Sequence, residues 1–227
     1  MKQFFITGTG TEVGKTWTSR VLLAAAAAKG LRTIALKPLA AGCESTQAGL
    51  RNDDAVLLQR AITETLSYPQ INPVALELAI APHIAAEQAG VKLSVAELVG
   101  NCQQSLQHPH DFALVEGAGG WRVPLNGQET LADLAIALQF PVILVVGMGL
   151  GCLNHTLLSA EAIQRDGLTL AGWVANSPGP PMAFLEQNIA TLESRLPIPY
   201  LGHLPFLPNE PPESLAFHLN LDLLLVL

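Results

Sequence analysis

Cysteine is scarce in this chain, and the three present (Cys43, Cys102 and Cys152) lie far apart with no Cys-x-x-Cys pair. Such spacing suggests neither a disulfide framework nor a zinc site, and it suits a reducing cytoplasm where thiols stay free. Charge is sparse too: Asp, Glu, Lys and Arg together make up 14% of the residues. Basic residues are the scarcer sign, 12 Lys and Arg against 19 Asp and Glu, for a net charge of -7. A nucleic-acid partner needs clustered Lys and Arg to neutralise phosphates, so this balance argues against one. No internal repeat, low-complexity linker or block of like charge interrupts the sequence. No signal peptide is expected either, since residues 1–6 are too short for one and run straight into a glycine-rich loop. Residues 134–160 lack Asp, Glu, Lys and Arg altogether and are long enough to cross a bilayer. However, Pro141, Gly147, Gly149, Gly151 and Asn154 divide that stretch into helix, strand, loop and helix. It reads as the buried middle of a soluble α/β domain, not as a membrane span.

Apolar residues, by contrast, are plentiful: 49% of 227 positions, enough to bury a core without covalent staples. One domain over residues 1–227 is expected. Short apolar runs at 3–7, 33–37, 112–116, 142–147, 170–175 and 200–204 read as strands buried on both faces. Helical patterns lie between them at 15–29, 54–65, 95–107, 131–139, 155–166 and 182–195. Ser94 with Glu97, and Thr130 with Asp133, carry helix-start signatures. Residues 66–92 resist such a reading, because Pro69, Pro73 and Pro82 break them. Alternating strand and helix predicts an α/β fold with right-handed crossovers and a mostly parallel central sheet, helices on both faces. Ligands in such folds bind beyond the carboxyl ends of the strands.

The strongest chemical signal is Gly8-Thr9-Gly10-Thr11-Glu12-Val13-Gly14-Lys15-Thr16, between the first strand and a helix. A loop that cradles phosphates needs inward-turned backbone N–H groups and a helix N-terminus for the anion. It also needs a Lys for the outer phosphates and a hydroxyl for Mg²⁺. Gly14, Lys15 and Thr16 fill the last three positions, although the strict pattern has Gly where Thr9 stands. An ordinary strand-to-helix turn or a dinucleotide fingerprint would look similar. The Lys-Thr pair and the absent G-x-G-x-x-G spacing count against both. The chain therefore reads as a P-loop NTPase-type domain.

Further candidates lie at other strand ends. Glu116 closes the run Phe112-Ala113-Leu114-Val115 and precedes Gly117, Ala118, Gly119 and Gly120. Beside a P-loop such a carboxylate holds Mg²⁺ or its waters; alone it could equally cap the next turn. Lys37, before Pro38, would point a charge into the crevice toward an oxyanion or transferred phosphoryl group, unless it is a solvated surface lysine. Asp53 and Asp54 open a helix, one as its N-cap and the other free for the metal. Asn176 either reads a nucleotide base or starts a turn before Pro178. Residues 149–154 could receive a carboxylate on backbone N–H groups, or be an irregular loop. Nothing forms a Ser-His-Asp or Cys-His arrangement.

The ordered series of these motifs resembles the dethiobiotin synthetase family. The family's G-T-x-T-x-V-G-K-T is matched by residues 8–16, its Lys-Pro by Lys37-Pro38, its G-L-R-N-x-D-A by residues 49–55 and its V-E-G-A-G-G-W by residues 115–121. The runs at 141–147, 150–155 and 168–176 look like it as well, so the resemblance extends to about Glu213. It implies an ATP-dependent cyclo-ligase that joins 7,8-diaminopelargonic acid and CO₂ into dethiobiotin, in the cytoplasm, as a homodimer. By motif it implies that Glu12, Val13, Gly14, Lys15, Thr16 and Trp17 line the nucleotide, with Gly117, Ala118 and Gly119 beside it. Thr16, Asp54 and Glu116 would hold Mg²⁺. Thr11, Lys15 and Lys37 would serve the reaction, with Thr11, Lys37 and Ala41 facing the substrate. Asn176, Pro205, Phe206 and Leu207 look like the adenine side. Gly151, Cys152 and Asn154 look like the site of the substrate carboxylate near the dimer interface. Two departures stand out: the family usually has Ser where this chain has Ala41, and an acidic residue near the nucleotide sugar is replaced by Pro211-Pro212, flanked by Glu210 and Glu213.

Other classes share parts of this pattern. A partition or septum-site ATPase switch would place a signature lysine early in the loop, yet no lysine occurs between Lys2 and Lys15. A small-molecule kinase often uses an arginine-rich lid, whereas the seven arginines here are scattered. A related amidoligase acting on another carboxylate or carbamate differs least.

Overall fold

Runs of Val, Ile, Leu and Phe with no charged residue inside them can bury both faces, and here they form the middle of one sheet. The computed structural model describes residues 1–226. Its elements begin with β1 (Lys2–Gly8), α1 (Lys15–Ala28), β2 (Thr33–Leu36), β3 (Leu39–Ala41), β4 (Glu44–Thr46) and β5 (Gly49–Arg51). Next come α2 (Asp53–Ala61), α3 (Tyr68–Ile71), β6 (Val74–Leu76), α4 (Pro82–Ala89), α5 (Val95–Ser105) and β7 (Phe112–Glu116). The chain continues with α6 (Leu131–Leu138), β8 (Val142–Gly147), α7 (Cys152–Arg165), β9 (Leu170–Asn176) and α8 (Leu185–Arg195). It ends with β10 (Tyr200–Leu204), a 3-10 helix (Pro212–His218) and α9 (Asp222–Leu225).

Six strands pair in parallel in the order β10-β9-β8-β1-β7-β2. Two short ladders, β3 with β6 and β4 with β5, stand apart from this sheet. On one face α1, the 3-10 helix and α9 pack through Val21, Leu22, Leu215 and Leu224. On the other, α5, α6, α7 and α8 pack through Leu98, Leu134, Ile163 and Leu192. This is the α/β architecture expected from the alternation of patterns. Residues 134–160 fold as parts of α6, β8 and α7, and among the described residues no helix is long and apolar enough to cross a membrane.

Parallel register brings the chemistry to one edge. Ile6 sits opposite Glu116, Gly8 opposite Val145, Gly147 opposite Asn176, and Asn176 opposite Leu204. The carboxyl ends of β1, β7, β8, β9 and β10 therefore open onto a common crevice. Both expected helix starts are present. The Ser94 hydroxyl accepts from the Glu97 N–H at 3.3 Å, and the Thr130 N–H donates to the Asp133 carboxylate at 2.7 Å.

Several boundaries differ from expectation. The helix expected from residue 155 begins at Cys152, because Gly151 adopts φ +94° and turns the chain into the helix there. Asn52, not Asp53 or Asp54, caps α2: its side-chain oxygen accepts from the Ala55 N–H at 3.3 Å. That helix ends at Ala61 because Ile62 is extended. Residues 66–92 hold α3, β6 and α4, elements mostly too short to leave a periodicity.

Candidate active site

The loop after β1 wraps the N-terminus of α1. Gly14 has φ +91°, and a Cβ on it would lie 2.1 Å from the Asn176 amide nitrogen, so only glycine fits between the loop and β9. Glu12 also takes a positive φ, 59°, in the middle of the loop. Among the described residues, the N–H groups of Gly14, Lys15 and Thr16 have no backbone acceptor, which leaves them free for an anion at the helix start. The Lys15 ammonium folds back onto the Gly10 carbonyl at 2.9 Å. Burial lowers its pKa to about 8, against the pull of Glu116.

Beside this loop, five polar side chains meet, all but Asp54 buried. Lys37, one residue past β2, is only 4% exposed, so it is no solvated surface lysine. Its ammonium donates to Asp54 Oδ2 and to Glu116 Oε1, both at 2.8 Å. Glu116 Oε1 also accepts from the Thr16 hydroxyl, and Oε2 from the Ser19 hydroxyl, each at 2.7 Å. Burial works to lower the Lys37 pKa, but the two carboxylates overcome it and hold the group above the usual lysine value. Burial likewise opposes ionisation of Asp54, and the Lys37 charge and hydrogen bond overcome it, holding the acid below the usual carboxylate range. Glu116 therefore faces the phosphate loop and does not cap the turn after β7. Ser19 was not anticipated; it lies three residues after Thr16, on the same side of α1, and that spacing was its only signal.

A cleft of about 280 Å³ opens on the other flank of the loop, between Glu12, Gly14 and Trp17 on one side and Asn176, Pro205, Phe206 and Leu207 on the other. The Asn176 amide donates to the Val13 carbonyl at 2.9 Å. Its buried Oδ1 has no partner among the described residues. The bond to Val13 uses one of the two amide N–H groups and fixes which way the amide points, leaving the buried Oδ1 as an unpaired acceptor beside the cleft.

Thr11 is exposed on the loop, and a Cβ on Gly119 would lie 3.5 Å from its hydroxyl, so the Gly117, Ala118 and Gly119 turn approaches the loop closely. Ala41 ends β3 half-buried, opposite Leu76. Gly151 and Asn154 are exposed at the start of α7, whereas the Cys152 side chain is buried and its N–H already bonds the Gly149 carbonyl at 3.0 Å. Of the three, Cys152 is therefore the one whose side chain and N–H are both already engaged within the fold. Leu150, beside them, is fully exposed.

A parallel sheet with a Gly-Lys-Thr loop at its carboxyl edge, and a carboxylate on the neighbouring strand bonded to that threonine, defines a nucleotide-binding protein of the P-loop class. A family described as an AAA domain matches residues 2–214. The septum site-determining protein MinD of Pyrococcus horikoshii, solved with Mg-ADP, is 18% identical with a TM-score of 0.50, covering 93% of this chain and 86% of its own; that likeness shows the fold alone. Much nearer are two curated relatives, each named ATP-dependent dethiobiotin synthetase BioD. The one from Pseudomonas paraeruginosa is 56% identical over 97% of both chains. The one from Cellvibrio japonicus is 57% identical over 99% of this chain and 98% of its own. The chain belongs to the ATP-dependent dethiobiotin synthetase family.

Proposed function

We propose that this protein uses ATP to convert 7,8-diaminopelargonic acid and CO₂ into dethiobiotin, ADP and phosphate, as a ligase of biotin biosynthesis. The reading is carried by its 56–57% identity, over nearly the full length, to relatives named for that synthesis. The site geometry supports it, because each motif residue near the phosphate loop has a position suited to one part of the reaction.

One substrate amine captures CO₂ as a carbamate and loses a proton to solvent. A carbamate oxygen then attacks the γ-phosphorus of ATP, and the bond to the β–γ bridging oxygen breaks to release ADP. The neighbouring amine attacks the activated carbonyl carbon and gives up a proton to solvent, closing the ureido ring as the bond from that carbon to the phosphate oxygen breaks and phosphate leaves. No nucleophile of the protein is needed, and catalysis reduces to positioning and electrostatics. The free N–H groups of the loop and Lys15 bind the phosphates. Lys37 and Thr11 face the carbamate and the charge that develops on the transferred phosphoryl group. Ala41 lies on the substrate side and lacks the hydroxyl that a serine would offer.

Asp54 and Glu116 already gather about one positive charge, the Lys37 ammonium, the Thr16 hydroxyl bonds Glu116 beside them, and these hard oxygens fit Mg²⁺ with phosphate oxygens and water. Bound there, Mg²⁺ would neutralise phosphate charge. The free Oδ1 of Asn176 suits the exocyclic amine of adenine, with Trp17, Pro205, Phe206 and Leu207 as apolar walls. Gly151, Cys152 and Asn154 lie at the N-terminus of α7, where a substrate carboxylate would be favoured. Exposed Leu150 and Leu158 near that end support a homodimer with the substrate close to the interface. The three free, buried cysteines suit the cytoplasm.

Purified protein given diaminopelargonate, bicarbonate and MgATP should form dethiobiotin, detected by mass spectrometry, with one ADP per product. Omitting either the diamine or bicarbonate should stop ADP release. ATP hydrolysis at full rate without the diamine would overturn the ligase reading in favour of a nucleotide switch.

A further inference from the structure

Residues 66–92 contribute a buried polar relay that runs between Lys37 and the start of α2. The Tyr68 hydroxyl accepts from the Asn52 backbone N–H at 2.7 Å and donates to Asn72 Oδ1 at 2.9 Å. Asn72 Nδ2 in turn donates to the Lys37 carbonyl at 2.7 Å and to the Val74 carbonyl at 3.2 Å. The Lys37 N–H donates to the Ile71 carbonyl at 2.8 Å, so the end of α3 grips both backbone groups of Lys37. At the other end of the relay, Asn52 caps α2, and Asp54 is the second residue of that helix. Tyr68 and Asn72 are both buried, and the Arg51 guanidinium covers the Tyr68 ring at 4.1 Å.

The donor and acceptor inventory leaves this relay one arrangement. A phenol has a single proton, and here it goes to Asn72 while a lone pair takes the Asn52 N–H. The Asn72 amide cannot flip, because its nitrogen faces two carbonyls and its oxygen faces a donor. Buried networks in which every group is satisfied are rigid, and removing one member leaves the next unpaired.

We propose that Tyr68 and Asn72 are positioning residues: without touching substrate, they fix the backbone of Lys37 against the first turn of α2 and so set the Lys37–Asp54 contact. The inference rests on the reading of Lys37 as the group that faces the transferred phosphoryl. Misplacement of a reacting group by about an ångström can cost on the order of 10² in rate. Ser105, the last residue of α5, provides a control that acts on the same short helix, α3. Its buried hydroxyl donates to the Gln70 carbonyl at 2.8 Å, so its removal loosens α3 without breaking the relay.

The test is steady-state dethiobiotin synthesis and thermal unfolding for wild type, Tyr68→Phe, Asn72→Ala, the double variant and Ser105→Ala. Tyr68→Phe and Asn72→Ala should each lower kcat by roughly 10- to 100-fold while KM for ATP changes by less than about twofold. The double variant should be about as slow as the slower single one, because both break the same relay. Ser105→Ala should lower Tm by a similar amount but keep kcat within about twofold of wild type. The relay is overturned if Tyr68→Phe is as active as Ser105→Ala, if the two single losses multiply in the double variant, or if Tyr68→Phe does not fold. Wild type that makes no dethiobiotin would overturn the function itself, and the relay with it.

Discussion

Lys15 and Lys37 are both buried, but only one of them has carboxylates for partners. Lys37 donates to Asp54 and Glu116, and its pKa stands above the usual lysine value despite burial. Among the described residues Lys15 bonds only the Gly10 carbonyl, and burial brings its pKa to about 8. Lys37 is thus charged at any working pH, while Lys15 awaits an anion that would complete its surroundings. A bound phosphate must raise the Lys15 pKa, so binding and protonation are linked. The sign follows from the free protein. Below about pH 8 the ammonium is already charged, and nucleotide binds without taking up a proton on its account. Above that value the free lysine is neutral and binding must bring a proton with it. Calorimetric titration with MgADP in buffers of different ionisation enthalpy should show little proton uptake near pH 7 and close to one proton near pH 9. The Kd should be roughly tenfold weaker at the higher pH. An affinity that does not change over this interval would show that Lys15 remains charged throughout.

Among the elements, the loop between β1 and α1 was the most legible, because its motif encodes local backbone geometry that needs no distant partner to be read. Gly14 is the clearest case. Its φ of +91° and the closeness of Asn176 both exclude a side chain. Gly14→Ala should therefore push Asn176 away from the Val13 carbonyl and strain the start of α1. Titration should show MgADP affinity weaker by about 5- to 150-fold, as expected for a strain of about 1–3 kcal/mol at the loop. Unchanged affinity would mean that the loop relaxes around the methyl group. The strands were legible for a related reason: a run such as Val142-Ile143-Leu144-Val145-Val146 has no polar face to turn outward. Other features depend on tertiary contacts. Asn52, Asp53 and Asp54 are all good caps by type, and only the approach of Tyr68 and Lys37 decides that Asn52 caps while Asp54 turns to the lysine. The four residues of α3 and three of β6 cannot show a period, so the relay they support had no trace in the spacing of residues. The start of α7 was placed late because Gly151 looks like a loop residue until its positive φ makes it the cap.

At the scale of the whole molecule, the crevice depends on a helix clamped between the sheet and the end of the chain. Lys15, Thr16 and Ser19 lie on the first turns of α1, whose Val21, Leu22 and Leu23 are fully buried. Leu215 of the 3-10 helix, Leu219, and Leu224 of α9 belong to the same core. The C-terminal segment thus packs on the phosphate-loop helix, whereas the cleft beside the loop is lined by Pro205, Phe206 and Leu207 and by no residue of that segment. Stability and binding should therefore separate by position. Leu215→Ala removes a side chain only 2% exposed and leaves a cavity. Loss of such a side chain costs about 2–5 kcal/mol, which for a chain of this size lowers Tm by roughly 4–20 °C. Bound nucleotide stabilises by RT ln(1 + [L]/Kd), so one fixed excess of MgADP should raise Tm by about the same increment in both proteins if the site keeps its shape and hence its Kd. Differential scanning calorimetry with and without MgADP measures both quantities. Equal increments on a lowered baseline would place Leu215 in the core alone. A variant that responded weakly to nucleotide would show instead that the C-terminal segment holds α1, and with it Lys15 and Thr16, in register for the phosphates.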